Sequence, residues 1–125
     1  MTTDILVVGI GGQGVMTAAE AIARAALDAG LDATKTEVTG MSQRGGVVCS
    51  QIRIGERIEA AEVRPGGVRL VIAFEAAEGL RWSHYLAPDG RLLLDSWRAV
   101  PPIVSSGVHS YPENPVAALR AAGRK

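Results

Sequence analysis

Cysteine is almost absent from the sequence, in which Cys49 is the single thiol. One thiol cannot form an internal disulfide, and it cannot hold an iron–sulfur cluster, which takes about four thiolates. Any electron transfer that involves this chain must therefore use redox centres on another chain. A single thiol also suits a reducing compartment, and the position of Cys49 within a predicted strand favours a small buried residue.

An excess of charge and long apolar runs are also missing. Thirteen basic residues balance thirteen acidic ones, whereas a nucleic-acid binder needs a basic stripe. The first apolar run covers only Ile5 to Val8, far short of the ~20 residues of a membrane span and shorter than the apolar part of a signal peptide. We therefore predict a cytoplasmic protein that binds neither membrane nor nucleic acid, folded as one domain over residues 1–125.

The start of the chain predicts a Rossmann-like βαβ unit. The apolar run from Ile5 to Val8 indicates a strand buried on both faces. Apolar residues then recur at spacings of four, three and four, which predicts a helix. These residues are Val15, Ala19, Ile22 and Ala26. Residues 34–38 alternate like a second strand, which such a crossover makes parallel to the first.

The next part of the chain departs from that unit. The eight residues from Thr39 to Gly46 leave no room for a helix, so a strand over 47–54 is expected to be antiparallel to its predecessor. A turn at Gly55 then predicts a β-hairpin with a fourth strand over 58–63. We expect a mixed, partly parallel α/β sheet with this hairpin as an insertion.

The remaining elements follow from apolar runs and turn residues. A strand is predicted over 70–74, a helix over 76–86, a turn over 88–90, a strand over 92–94 and a last helix from Asn114 through Ala122.

A glycine-rich turn joins the first strand to the first helix. Gly9, Gly11 and Gly14 satisfy G-x-G-x-x-G in the expected position, and the helix start favours a phosphate. Glu37, 23 residues beyond Gly14, could bind ribose hydroxyls as in a dinucleotide domain. Two other interpretations stay open: the glycines only permit close packing of helix on strand, or the chain is a free-standing NAD(P)-binding protein. The missing second helix and the hairpin argue against NAD.

A second glycine-rich loop, GMSQRGG, occupies residues 40–46. Parallel strands end at one edge of a sheet, where ligands bind, so this loop is expected beside the first turn. The planar guanidinium group of Arg44 can donate two hydrogen bonds to a phosphate or carboxylate. Exposed backbone amides of the loop can donate further hydrogen bonds to the same anion. Alternatively, Arg44 caps carbonyls or pairs with Glu37. The candidate anion-binding residues of this loop are Ser42, Gln43, Arg44, Gly45 and Gly46.

Other chemistry-bearing residues have ordinary explanations. Neither His84 nor His109 has a Cys, His or carboxylate residue near it at the spacing of metal ligands. Both are predicted to be structural or solvated. Glu75 and Glu78 could act as an acid–base pair. We favour a helix N-terminus that attracts acids, with Glu78 and Arg81 as an i,i+3 pair.

Several ordered segments resemble a known family over residues 4 to about 120. These segments are GIGGQGVMTAAEAIARAA, EVTGMSQRGG, RIG, AFEAAEGLR, LAPDGRLLLDS and PP-x-V-x-x-G-x-x-x-YP. They resemble the gamma-type domain of the 2-oxoacid:ferredoxin oxidoreductases, the pyruvate and ketoisovalerate family. The PP…G…YP stretch is most similar to the indolepyruvate branch and its beta subunit. Domains of this family continue past Lys125, so the chain resembles a version shortened at its C-terminus.

The resemblance implies a non-catalytic subunit of an oxidoreductase. Thiamine diphosphate, magnesium and iron–sulfur clusters are then held by a partner subunit, ferredoxin accepts electrons from the complex, and coenzyme A is bound jointly. A homodimer is also allowed. Gly9 and the residues Gly11, Gly12, Gln13 and Gly14 would form one wall of the coenzyme A site, and residues 42–46 the other.

Overall fold

A single five-stranded sheet organises the chain in the computed structural model, which describes residues 2–12, 14–39, 47–95 and 117. The elements are β1 (Thr2–Ile10), α1 (Val15–Asp28), β2 (Asp32–Thr39), β3 (Val47–Gly55), β4 (Val68–Ala73), α2 (Ala76–Arg81), a 3-10 turn (Ser83–Tyr85) and β5 (Leu86–Leu94). The strand order is β2-β3-β1-β4-β5. The predicted α/β class with a mixed, partly parallel sheet is confirmed.

The central strand β1 pairs in both orientations. It is parallel to β4, with Val8 opposite Ala73, and antiparallel to β3, with Ile10 opposite Val47. The residues from Asp4 to Ile10 are all buried, because helices or loops cover both faces of the sheet at its centre. The apolar run at Ile5–Val8 therefore correctly predicted a strand buried on both faces.

The first βαβ unit contains an inserted strand. β2 runs in the direction of β1, as predicted, but β3 lies between them and pairs antiparallel with both. The connection from Thr39 to Val47 is too short for a crossover, so the chain returns as an antiparallel neighbour. The prediction of an antiparallel third strand is confirmed. The hairpin predicted at Gly55 is wrong, because no strand follows β3 before β4 within the described residues 47–95; the antiparallel neighbours are β2 and β3.

The predicted fourth strand over 58–63 is wrong. Residues 56–67 cross one face of the sheet without joining it. Their backbone groups bind side chains: Ile58 N donates to Asp32 Oδ2 over 2.9 Å, and Val63 N donates to Gln51 Oε1 over 3.3 Å. Arg53 adds a hydrogen bond to the carbonyl of Ala60. The alternating pattern arose because Val63 packs into the core while its neighbours are exposed.

The predicted helix over 76–86 and turn over 88–90 also need correction. α2 ends at Arg81, and residues 88–90 lie within β5, where the register with β4 shifts. Val68 is opposite Leu86, whereas Leu70 is opposite Arg91. A Cβ at Gly90 would lie 2.7 Å from the carbonyl oxygen of Val68, so glycine permits this close approach. The last predicted helix falls outside the described residues, except for Ala117, which is helical.

Two apolar clusters lie on opposite faces of the sheet. One contains Ile5, Val7, Val15, Ala19, Val48 and Ile52, beneath α1. The other contains Leu6, Val8, Cys49, Val63, Val68, Val71, Ala73 and Leu86. Cys49 is a free thiol, 1% exposed, and burial raises its pKa to about 12. Its predicted role as a small buried residue is confirmed.

Candidate functional site

The glycine turn between β1 and α1 depends on left-handed backbone conformations. Gly12 has φ 92° and Gly14 has φ 89°, values that L side chains rarely adopt. A Cβ built on either residue would meet no atom within 4 Å. These two glycines therefore shape the backbone rather than permit close packing, which removes the packing interpretation for both positions.

A cleft of about 320 Å³ lies at this turn. It is lined by Ile10, Gly11, Gly12, Gly14, Val15, Met16, Thr17 and Val48. None of these lining residues is charged. The volume is at the lower end of the range typical of small-molecule sites, about 300–1,000 Å³.

The start of α1 gives the cleft a positive character. Gly14 offers no side-chain cap, and the first turn contains no acidic residue. The first amides of a helix have no intrahelical acceptor and carry partial positive charge. The geometry therefore suits an anionic group, as the glycine motif predicted.

The second predicted wall of the site falls outside the described residues. This holds for Ser42, Gln43, Arg44, Gly45 and Gly46, and also for Gln13 of the first wall. Their roles stay predictions.

The described ends of the second loop lie at the same sheet edge as the glycine turn. Thr39 is opposite Val48 and Val47 is opposite Ile10, where β1 ends. Val48 itself lines the cleft. The expected proximity of the two loop positions is thus supported by the strand register.

Glu37 lies in an arrangement that disfavours a dinucleotide site. Its Oε1 is 2.9 Å from Lys35 Nζ, which is also 2.8 Å from Glu20 Oε2 on α1. These hydrogen bonds raise the pKa of Lys35 and lower that of Glu20. In a dinucleotide-binding domain the strand bearing the acid is next to β1. Here β3 intervenes, which moves Glu37 two strand spacings, about 10 Å, from β1.

The N-terminus of α2 contains two buried carboxyl groups. Glu75 is 0% and Glu78 5% exposed. The Glu75 side chain caps the helix by accepting from Glu78 N over 3.0 Å, and Glu78 Oε2 lies 3.9 Å from Arg81. Burial raises the pKa of Glu78. The helix-terminus interpretation is confirmed, but the burial was not anticipated.

The other titratable candidates are the two histidines, of which the described residues include His84. His84 is exposed, with its Nδ1 3.1 Å from the carbonyl of Arg81 and its ring 4.7 Å from that of Tyr85. His109 falls outside the described residues. Over the part of the chain that the structure describes, no three His, Cys, Asp or Glu side chains form a group that could hold a metal ion. No helix in the same residues is long and apolar enough to cross a membrane.

Comparison with known proteins shows the family of the chain. Residues 4–123 match the family described as pyruvate ferredoxin/flavodoxin oxidoreductase. The chain belongs to this family. The resemblance predicted from the two glycine-rich loops is therefore confirmed, and it extends over nearly the whole sequence.

Relatives within the family include indolepyruvate oxidoreductase subunits. The subunit IorB of Archaeoglobus fulgidus is 42% identical over 90% of this chain and 56% of its own length. IorB of Thermococcus kodakarensis is 42% identical over 87% of this chain and 54% of its own length. The chain spans about half the length of these relatives.

Solved structures of the family share the fold. The subunit PORC of pyruvate oxidoreductase from Thermotoga maritima has a TM-score of 0.63 at 24% identity, covering 78% of this chain and 52% of its own. A 2-oxoglutarate:ferredoxin oxidoreductase from Magnetococcus marinus, with 2-oxoglutarate, coenzyme A and succinyl-CoA bound, has a TM-score of 0.67 at 18% identity. That match covers 98% of this chain and 22% of the longer one.

Proposed function

We propose that the chain is an accessory subunit of a thiamine-dependent 2-oxoacid:ferredoxin oxidoreductase and helps to bind coenzyme A. The 2-oxoacid is indolepyruvate or another aryl or branched compound, as the names of the IorB relatives suggest. The partner subunit holds thiamine diphosphate, magnesium and the iron–sulfur clusters, and it passes electrons to ferredoxin. This chain is non-catalytic and contributes binding and orientation.

The cleft at the glycine turn is the observation that carries this proposal. It contains an uncapped helix start, which favours a phosphate group, and the lining residues that the structure describes include no acidic side chain to repel it. Gly11, Gly12 and Gly14 line it directly, and Gly9 lies in β1 just before the turn. A bound coenzyme A would supply the thiol that receives the acyl group. In this chain the backbone would hold the phosphates, while Met16 and Val48 offer apolar contact to the rest of the ligand.

The single thiol of the chain supports a binding role. Nucleophilic cysteines are partly exposed and have lowered pKa values. Cys49 is buried in the core, and its pKa is raised to about 12 by desolvation and by the nearby charge of Glu78. It is therefore protonated at neutral pH and suited to packing, which leaves acyl transfer to coenzyme A and the partner.

Arg44→Ala tests the proposed second wall of the site. The chain is combined with its thiamine-bearing partner, and 2-oxoacid oxidation is measured against coenzyme A concentration. Loss of a charged hydrogen bond worth about 1.5–3 kcal/mol should raise the apparent KM for coenzyme A roughly tenfold or more. Arg57→Ala is the matched control, because Arg57 is exposed beyond the opposite end of β3. An unchanged KM in Arg44→Ala would remove Arg44 from the site.

The subunit role has its own test. Adding the chain to the isolated partner should restore coenzyme A-dependent activity. If the partner is fully active without the chain and adding the chain changes nothing, the accessory role is wrong.

A further inference from the structure

The side chain of Glu78 is buried on the side of α2 that faces the sheet. Glu78 is 5% exposed, and its charge acts on the thiol of Cys49 in β3. Its Oε1 has no hydrogen-bond partner among the described residues. Its Oε2 lies 3.9 Å from a guanidinium nitrogen of Arg81, which is beyond the length of a hydrogen bond. An ionised carboxyl group in this position therefore loses most of the hydrogen bonds that it would form in water.

Close packing keeps α2 in this position. Gly79, the next residue of the helix, faces β4 and β5. A Cβ built on Gly79 would lie 3.0 Å from Ala73 Cβ and 2.6 Å from Leu94 Cδ1. Ala76, in the first turn of the helix, is also buried. The helix therefore has no space to tilt further onto these strands, and full hydration of the Glu78 carboxyl group requires α2 to move away from the sheet.

The groups that surround Glu78 do not offset the cost of its charge. Burial is the largest effect and raises the pKa of Glu78. Arg81 and a hydrogen bond with Trp82 act in the opposite direction, and the nearby charge of Glu75 adds to the increase. The side chain of Arg81 is 61% exposed, so solvent weakens its attraction for Glu78. The Cys49 thiol, with its pKa raised to about 12, is uncharged at neutral pH.

Charged groups on the other elements packed against α2 act elsewhere. These elements are β1, β4, β5 and the 3-10 turn. Their charged or titratable residues are Asp4, Arg69, His84, Tyr85, Asp89 and Arg91, and Asp95 follows β5. Asp4 pairs with Arg53, and Arg69 pairs with Asp89. The pKa of Glu78 is instead set by burial and by the three residues of its own segment named above.

From this geometry we infer that α2 opens in response to pH, docked on the sheet while Glu78 is protonated and released when it ionises. The opening takes place at the sheet edge that contains the glycine turn, because Phe74 N, just before the helix, donates to Val8 O of β1 over 2.9 Å. A helix of six residues is too short to persist away from the sheet, so its hydrogen bonds break when it opens. The inference does not depend on the proposed function, and its test needs no activity.

The sign of the pH dependence follows from the two states of Glu78. In the opened state the carboxyl group is hydrated and has its ordinary pKa of about 4.5, whereas burial raises the pKa in the docked state. The docked state therefore binds the proton more tightly. Its extra stability is complete below about pH 4.5 and is lost as pH rises through the raised pKa. Between these two values the opened population grows by up to about tenfold per pH unit, the limit for one proton.

Labelling of Cys49 in the full chain measures the opening. Cys49 is the single cysteine of the sequence and is 1% exposed, so a disulfide reagent such as dithiodipyridine reacts with it only after the chain opens. The rate is compared between the parent chain and Glu78→Gln from about pH 4 to pH 8. The ratio of the two rates cancels the intrinsic reactivity of the thiol, and it should rise with pH by up to about tenfold per unit. For the exposed control Glu56→Gln the ratio should stay constant.

Low concentrations of urea separate local opening from global unfolding. Local opening exposes little surface, so about 1 M urea should leave the labelling rate of the parent chain nearly unchanged. Circular dichroism verifies that Glu78→Gln is folded.

Hydrogen exchange of the unmodified chain gives a second measurement that needs no variant. The amides of Gly79 and Trp82 donate to Glu75 O and Glu78 O, and their protection factors should fall as pH rises. The amide of Leu6 at the centre of β1 should lose less protection. The inference is overturned if the Cys49 ratio is constant over this pH range, if urea accelerates labelling as strongly as it promotes global unfolding, or if α2 and β1 lose protection equally.

Discussion

At the scale of single residues, Glu78 is a carboxyl group whose buried environment opposes its charge. It is 5% exposed, its Oε1 has no hydrogen-bond partner among the described residues, and burial raises its pKa, against the weaker opposing effect of Arg81. A raised pKa means that the folded state binds the proton more tightly than the unfolded chain. This contribution to stability is complete below about pH 4.5, the ordinary carboxyl value, and is lost as pH rises through the folded pKa.

Glu78→Gln should therefore gain stability relative to the parent chain as pH increases. Glutamine has the same shape but cannot ionise, so it avoids the cost of a buried carboxylate. Denaturant unfolding at pH 5 and pH 8 measures the effect, with the exposed Glu56→Gln as control. If the difference between Glu78→Gln and the parent chain is the same at both pH values, the assignment of a raised pKa is wrong.

At the scale of elements, the two ends of α1 depend on glycines in left-handed conformations. Gly14 has φ 89° and Gly30 has φ 84°, and a Cβ at either would meet no atom within 4 Å. In Gly14→Ala and in Gly30→Ala the alanine must adopt a left-handed backbone conformation, which costs about 1–2 kcal/mol in each variant. We expect similar losses of stability in urea unfolding. Only Gly14→Ala should also raise the KM for coenzyme A, since only Gly14 lines the cleft.

Sequence patterns predict these elements unequally, for physical reasons. β1 and α1 have local signals: an apolar run for a strand buried on both faces, and an apolar stripe at helical spacing. The insertion of β3 between β1 and β2 is a non-local choice that periodicity does not encode. The segment 56–67 misled the prediction because its hydrogen bonds go to the side chains of Asp32 and Gln51. The burial of Glu75 similarly depends on packing that only the folded chain reveals.

At the scale of the whole molecule, the centre of the sheet should resist local unfolding most strongly. β1 is hydrogen-bonded on both sides and covered on both faces. The segment 56–67 is attached mainly through side chains. Regions with few backbone ladders open at lower free energy.

In native-state hydrogen exchange, amides at the centre of the sheet should therefore exchange slowly and those of the segment 56–67 rapidly. Amides of β1 and β3 should exchange most slowly, and most of residues 57–64 should exchange rapidly. Ile58 and Val63 should be slower than their neighbours, because their amides donate to Asp32 and Gln51. Asp32→Ala should release Ile58 while leaving Val63 protected, which separates the two attachments. If residues 58–63 are instead uniformly protected to the level of β3, the segment is a paired strand and the side-chain attachment inferred from the fold is wrong.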